Sequence, residues 1–428
     1  MLIEFSVGNY RSFKEKVTFS MVAANVIAKD KKLDDTNVFA VDDDLRLLKS
    51  AAIYGANASG KSNLAKALSF MNLFMINSSR ETQNIDKIGV EPFRLSTEAE
   101  GEPSYFELVF LMDSRKYRYG FEATQERIIS EWLFHVPNSR EARLFERKLD
   151  NFNVSGNYKA AGIPKRTRAN ALFLSVSAQF NVELAEKILE WTTDKLNIIS
   201  GLDDENYLDY TISCLMDNEN TTEILQLVKR LDLGIDEIQV KEEDFTVNSL
   251  PEYIPDELKK LIVKDTGGKA TSITTIHRKF DGSGSFQSLE AFDLGNHESE
   301  GTRKIFALAG PLVNTLQEGG VLIVDELDAR LHPLISRAIV KLFNSNDTNP
   351  NNAQLIFMTH DTNLLSNKLF RRDQIWFTEK NRYGATDLYS LAEYKVKVRN
   401  DASFESDYIK GKYGAIPYIG NLMHLLDS

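Results

Sequence analysis

The sequence predicts an α/β protein in which a mixed sheet with an antiparallel β part is joined to an inserted, mainly helical lobe. Three observations carry this. Near the carboxyl end the short apolar runs 321–324, 355–358 and 374–377 alternate with helical patterns, which is how a largely parallel, buried sheet reads. Earlier, 105–112 (YFELVFLM) and 116–122 (KYRYGFE) are rich in aromatic and β-branched residues and are separated by Asp113-Ser114-Arg115, the pattern of an antiparallel hairpin. Between these regions, 182–196 and 222–231 carry helical periodicity, 235–240 resembles a short strand, and Gly267-Gly268 and Gly282 with Gly284 mark turns.

The elements follow in order. Residues 1–7 read as a strand, and 51–54 is an apolar run that stops at Gly55. Leu64, Ala67, Leu68, Met71, Phe74 and Met75 then recur at helical spacing over 62–77. Strand, glycine loop and helix result. The expected organisation is residues 1–124 as the first half of the sheet domain, 125–290 as the inserted lobe and 291–428 as the second half. No internal repeat or low-complexity linker interrupts it.

Composition bounds the function classes. The 428 residues are about three times the ~150 typical of one domain, and 42% hydrophobic with 26% charged residues supports a substantial core. The formal charge of −11 disfavours a protein attracted to polyanions over its whole surface. The one cysteine, Cys214, excludes an intramolecular disulfide and a multi-cysteine metal site, and fits a reducing cytoplasm. Glu4 lies in the first apolar stretch with no basic segment before it, unlike a secretory signal. Asn72 and the pair Gly310-Pro311 break the best apolar stretches, which predicts no membrane span.

Gly55-Ala56-Asn57-Ala58-Ser59-Gly60-Lys61-Ser62, followed by Asn63, matches GxxxxGK[ST] between the predicted strand and helix. Glycines let the backbone wrap a polyphosphate, amides and the helix N-terminus face the anion, Lys61 reaches the β and γ phosphates, and Ser62 can ligate Mg²⁺. Asp325 and Glu326 end an apolar strand, where Asp325 can support the Mg²⁺ shell and Glu326 can orient an attacking water. His360, at the end of the next apolar run, is expected at the same carboxyl edge, in reach of the γ-phosphate. Ser299 and Gly301 stand at the start of an apolar helix, where a hydroxyl and amides can make an anion site, although taken alone the pattern favours an N-cap over a nucleotide contact.

In this order, the motifs resemble the nucleotide-binding domain of ABC-type ATPases, including the chromosome-maintenance and break-repair branches. Ser299-Glu300-Gly301-Thr302 then resembles their signature motif. More narrowly, the chain resembles the bacterial AAA15-type ATP-binding proteins related to RloA and AbiL. The resemblance rests on Ile3-Glu4-Phe5 with Asn9-Tyr10-Arg11-Ser12-Phe13, Pro92-Phe93-Arg94-Leu95, Glu298 to Arg303, Asp325-Glu326-Leu327-Asp328 with Leu331-His332-Pro333, Asp373 to Phe377, and the closing Tyr408 to Pro417. It implies an ATPase with ATP and Mg²⁺ as ligands and a head-to-tail homodimer or higher oligomer, in which Ser299 and Gly301 of one copy cover the γ-phosphate held by another. It implies Arg11 as a further nucleotide contact, beside its alternative as an ion pair at the core rim. It also implies phage defence by abortive infection, with a separate toxin or nuclease effector and a nucleic acid or phage protein as trigger. Two departures from transporters stand out: no clear Q-loop glutamine follows the first helix, and His332 occupies the D-loop aspartate position.

Other readings fare less well. A GTPase would need Asn-Lys-x-Asp, and Asn367-Lys368-Leu369-Phe370 lacks the aspartate. A nuclease with a Toprim domain would need more than the 68 residues after His360, and Asp42-Asp43-Asp44 reads as a solvated acidic turn. A DNA-repair-like clamp could use Lys165-Arg166-Thr167-Arg168 or Lys395, Lys397 and Arg399 on phosphates, although solvated faces explain both segments.

Overall fold

The computed structural model describes residues 1–80, 86–137, 140–203, 205–231, 234–251, 253–265, 267–394 and 403–417. They form two compact units: Met1–Leu202 with Thr315–Ala329 and Pro333–Ser428, and Asp203–Asn314 with Arg330–His332.

Among the described residues, two large sheets and the short pair Val38–Ala40 with Arg46–Leu48 make up the β-structure of the first unit. In the six-stranded sheet the order is Leu196–Ser200, Val321–Asp325, Gln354–Met358, Ser50–Tyr54, Ile375–Lys380 and Thr386–Ser390. All neighbours are parallel except the last pair. The seven-stranded sheet is antiparallel and runs from Asn151–Val154 through Ala142–Lys148, Ile128–Val136, Arg115–Ala123, Ser104–Met112 and Leu2–Gly8 to Val17–Ser20. The predicted α/β class with a mixed sheet and an antiparallel part is the class observed. Helix Lys61–Asn77 buries Leu64, Leu68, Met71, Phe74 and Met75 in one core with residues of both sheets. Phe70 meets Phe106 at 5.1 Å and Phe74 meets Phe121 at 5.6 Å between ring centroids. Each such side chain contributes roughly 1.5–3 kcal/mol by leaving water. The hairpin turn has Asp113 and Ser114 at φ 50° and 57°, positive at both central residues as the twist of two adjoining strands favours.

The stretch 125–290, expected to be mainly helical, starts differently. Ile128–Val136, Ala142–Lys148 and Asn151–Val154 are three more strands of the antiparallel sheet. Their apolar alternation is masked by charge, because Glu131 and Arg147 point inward and are buried as a pair. The Glu131 carboxylate accepts from the amides of Phe173 and Leu174 at 2.6 and 2.9 Å and from the Tyr119 hydroxyl at 3.0 Å. Arg147 donates to the carbonyls of Leu149, Ala171, Arg168 and Ala169. Every polar group of this pair is thus satisfied internally, as burial requires.

The second unit holds helices Glu205–Met216 and Thr221–Arg230 and a three-stranded antiparallel sheet, Glu237–Asp244, Lys269–Phe280 and Phe286–Asp293. Its core joins Leu215, Ile224, Val228, Ile238 and Ile273 to Phe306, Ala309 and Val313. Pro311 lies inside helix Glu300–Glu318 and lacks the amide that would bond the carbonyl of Ala307. Thr211 supplies the missing donor: its hydroxyl donates to Ala307 O at 2.6 Å and accepts from Gly310 N at 3.1 Å. Gly310 is required there, since a Cβ would come within 2.5 Å of Thr211 Oγ1. Among the described residues no helix is long and apolar enough to cross a membrane.

Replacing Thr211 by Val should cost about 1–3 kcal/mol by leaving Ala307 O buried and unbonded, whereas Thr211→Ser should retain most of that stability. Urea unfolding followed by far-UV circular dichroism measures this. Equal stability of the Val and Ser variants would contradict the role given to the hydroxyl.

Candidate functional site

The phosphate-loop motif sits where the sequence places it. Strand Ser50–Tyr54 is wholly buried, the loop follows, and helix Lys61–Asn77 begins directly after Gly60. A Cβ on Gly55 would lie 2.5 Å from Ser59 Oγ and from the carbonyl and hydroxyl of Thr378. Gly60 has φ +118°, and a Cβ there would overlap the Thr386 side chain. Side chains are excluded at both positions, and this allows the loop to curl tightly.

Residues outside the motif hold the loop from behind. Ser59 Oγ and Thr378 Oγ1 are 2.6 Å apart, and the Thr386 hydroxyl bonds the Ser59 carbonyl at 2.7 Å and the Ser12 hydroxyl at 2.8 Å. Asn63, expected among the nucleotide-binding residues, directs its amide to Ser12 Oγ at 2.8 Å. Lys61 is only 5% exposed, and its Nζ donates to the carbonyls of Gly55 and Ala56 at 2.8 and 3.2 Å. Burial pushes this lysine down to about 8, with Asp325, Glu326 and Asp328 partly opposing the shift.

Sheet order brings the other candidates to the same edge. Val321–Asp325 neighbours Gln354–Met358, which neighbours the phosphate-loop strand, so Asp325, Glu326 and His360 all follow strands at the carboxyl edge where Gly55 begins its loop. Asp325 Oδ1 is buried without a hydrogen-bond partner, as are Asp328 Oδ1 and Asp361 Oδ2. Glu326 adopts φ 58°, left-handed for a residue with a Cβ. A Cβ on Gly201 would run into the Glu326 carbonyl, so a glycine is needed beside this turn. Partial burial and the Lys61 ammonium hold His360 below the usual imidazole range, against the opposing pull of Asp328, Glu326 and Asp325. The Tyr54 hydroxyl donates to the carbonyl of Asp361 at 3.4 Å, which links the base of the phosphate loop to the histidine turn.

No group of three or more His, Cys, Asp or Glu among the described residues could hold a metal ion unaided. Mg²⁺ bound with a polyphosphate needs only one or two protein carboxylates. The unpartnered oxygen of Asp325, with the Ser62 hydroxyl, fits that requirement.

Ser299 caps its helix: Oγ accepts from Thr302 N at 3.1 Å, and its carbonyl accepts from Arg303 N. Ser299 is exposed and belongs to the second unit, as does the half-buried Gly301, where a Cβ would sit 3.0 Å from the Arg330 carbonyl. Arg11 pairs with Glu91 at 2.5 Å, and its Nε is buried without a partner. In the basic segment at 165–168, Arg168 donates to the carbonyls of Ser78 and Ser79 and Arg166 lies over the Phe180 ring. Lys395, Lys397 and Arg399 lie outside the described residues. Sequence reasoning missed Ser12, Thr378 and Thr386 as loop supports. Threonines on strands far along the chain give no local signal. Asp328 was visible three residues after Asp325, as part of Asp325-Glu326-Leu327-Asp328.

A lysine that loses its proton more easily folded than unfolded destabilises the protein below about pH 8, and that cost fades as pH rises toward its unfolded value of 10.5. Between pH 8 and pH 10 the wild-type protein should therefore gain about 2 kcal/mol of unfolding free energy relative to Lys61→Met. Urea titrations of both proteins at the two pH values check it. A pH-independent difference would contradict the buried state of Lys61.

The mixed sheet that bears the phosphate loop and the antiparallel sheet of the same unit form the α/β arrangement that the sequence predicts. The chain is similar to an Smc head bound to the C-terminal winged-helix domain of ScpA (14% identity, TM-score 0.45, 91% of this chain and 97% of that one). It is also similar to the Smc head with coiled coil and joint from Pyrococcus yayanosii (11%, 0.42, 96% and 99%). A third similar structure is the recombination mediator RecF with ATP (14%, 0.38, 91% and 99%). No curated protein matches the chain. Residues 50–366 match the sequence profile of an AAA-domain family whose description names the AbiEii toxin and the type IV TA system. That match takes in well over half of the residues, and the chain belongs to this AAA-domain family.

Proposed function

We propose that this protein binds ATP with Mg²⁺ and hydrolyses it, with Glu326 orienting the attacking water and His360 contacting the γ-phosphate. The observation that carries the reading is Lys61. It is a buried ammonium held on two carbonyls of its own glycine loop, and oxygen atoms of a polyphosphate would replace those carbonyls and supply the counter-charge. The loop amides from Ala56 to Ser62 bind the phosphates. Mg²⁺, when held by Ser62 and Asp325, neutralises charge on the transferred phosphoryl group. The Glu326 carboxylate accepts a hydrogen bond from water and aims its lone pair, and an N–H of the His360 imidazole can donate to a phosphate oxygen.

The reading extends to an assembly. Ser299 and Gly301 of a second copy cover the γ-phosphate, so that the active form is a head-to-tail homodimer or a higher oligomer, working in the cytoplasm. An exposed helix start with its serine and glycine supports this, since such a tip is an anion site. The toxin and TA system named in the family description support a place in antiphage defence, with ATP turnover controlling a separate toxin or nuclease effector.

Glu326→Gln should lower kcat on the order of 10²-fold or more while ATP still binds. Unchanged turnover would contradict the role of Glu326. The rate per chain should rise with protein concentration as dimers form. A constant rate from fully monomeric to fully assembled samples would reject the shared site.

A further inference from the structure

The closing segment of the described chain is not used by any step above, yet it packs against the base of the phosphate loop. Helix Phe404–Ile409 carries Tyr408, which is 7% exposed. Its ring stacks on Phe377 with centroids 5.4 Å apart and planes 20° from parallel, and meets Tyr54 at 6.0 Å. Phe377 and Tyr54 are opposite one another on adjacent parallel strands. Tyr54 is the last residue before Gly55, and the residue after Phe377 is Thr378, whose hydroxyl meets Ser59 inside the loop. From the same tyrosine, Tyr54, the hydroxyl reaches the carbonyl of Asp361, next to His360. One ring of this closing strap therefore touches Tyr54, which leads into the phosphate loop and bonds the turn after His360, and Phe377, which precedes the loop support Thr378.

The strap is fixed in that position by its own bonds. Tyr408 donates to Ala415 O at 3.0 Å, and Tyr389 donates to Tyr413 O at 2.7 Å. Tyr413 packs on Phe377 at 5.9 Å from the other side of the turn. Gly414 has φ +70°, and a Cβ there would fall 2.7 Å from Glu379 Oε2 and 2.8 Å from the Tyr389 hydroxyl. The Gly-Lys-Tyr-Gly string is thus what lets the strap turn closely over the sheet edge.

We infer that Tyr408 is a positioning residue of the ATPase site, acting through Tyr54 and Phe377 on the phosphate loop and on the turn that bears His360. The inference rests on the ATPase reading above. The loop keeps its separate supports at Thr386 and Ser12, so ground-state phosphate binding survives loss of the ring. The alignment of His360 with the γ-phosphate depends on Tyr54, and misplacement by an ångström or less can cost up to about 10²-fold in rate. The consequence falls on kcat.

The experiment measures steady-state ATP hydrolysis and fluorescent-ATP binding by the full chain in wild type, Tyr408→Ala, Tyr408→Phe and Tyr54→Phe, with folding of each followed by circular dichroism. Tyr408→Ala should lose about tenfold or more in kcat with KM changed less than about threefold, Tyr408→Phe should stay within about threefold, and Tyr54→Phe should share the kcat loss. If Tyr408→Ala does not fold, Tyr408→Leu takes its place with the same expectation. A folded Ala or Leu variant that is less stable but keeps wild-type kcat and KM would overturn the inference and make the contact mere packing. Wild-type protein that neither binds nor hydrolyses ATP would instead overturn the ATPase reading.

Discussion

A positive charge buried against its own backbone is the constraint on which the rest of the first unit depends. Lys61 can stay at the mouth of the loop only because Gly55 and Ala56 present carbonyls to it and three acidic residues supply a favourable field. Those carbonyls are available because the loop curls as it does. The curl requires glycine at 55 and 60, and Thr378 and Thr386 behind it. Parallel pairing of Ser50–Tyr54 with Gln354–Met358 and Ile375–Lys380 brings all of these to one edge. The ammonium costs stability in the folded protein, and the site is correspondingly suited to an anionic ligand that removes the cost.

Much of this was legible. Apolar runs ending in Gly55, Asp325 and His360 identify three buried strands and the edge they share, because a parallel sheet puts all its strand ends on one side. The glycine loop is readable because its chemistry is local and its spacing strict. What stayed hidden is non-local. Thr386 meets Ser59 from more than three hundred residues away, and neither residue's neighbours reveal the meeting. The strands at 128–154 were hidden for a different reason: Glu131 and Arg147 interrupt the apolar alternation with charges that only the folded pair neutralises. The exposed strand Phe286–Asp293 likewise lacks a buried face to give it a period.

The second unit shows how a local defect is made tolerable. Pro311 would break a helix, and Gly310 would weaken it, but Thr211 restores the lost hydrogen bond while the missing Cβ admits its side chain. The same helix starts at the exposed Ser299 cap, so its integrity matters to any role of that tip. In both units a glycine marks close approach of another chain segment, and a hydroxyl from that segment completes the bonding.

The most direct measurement of the central claim is a structure of the protein with Mg²⁺ and a non-hydrolysable ATP analogue. The account predicts that Lys61 Nζ leaves the carbonyls of Gly55 and Ala56 for β- and γ-phosphate oxygens, with Asp325 facing the metal. An analogue bound away from residues 55–62, with Lys61 still on its two carbonyls, would contradict it.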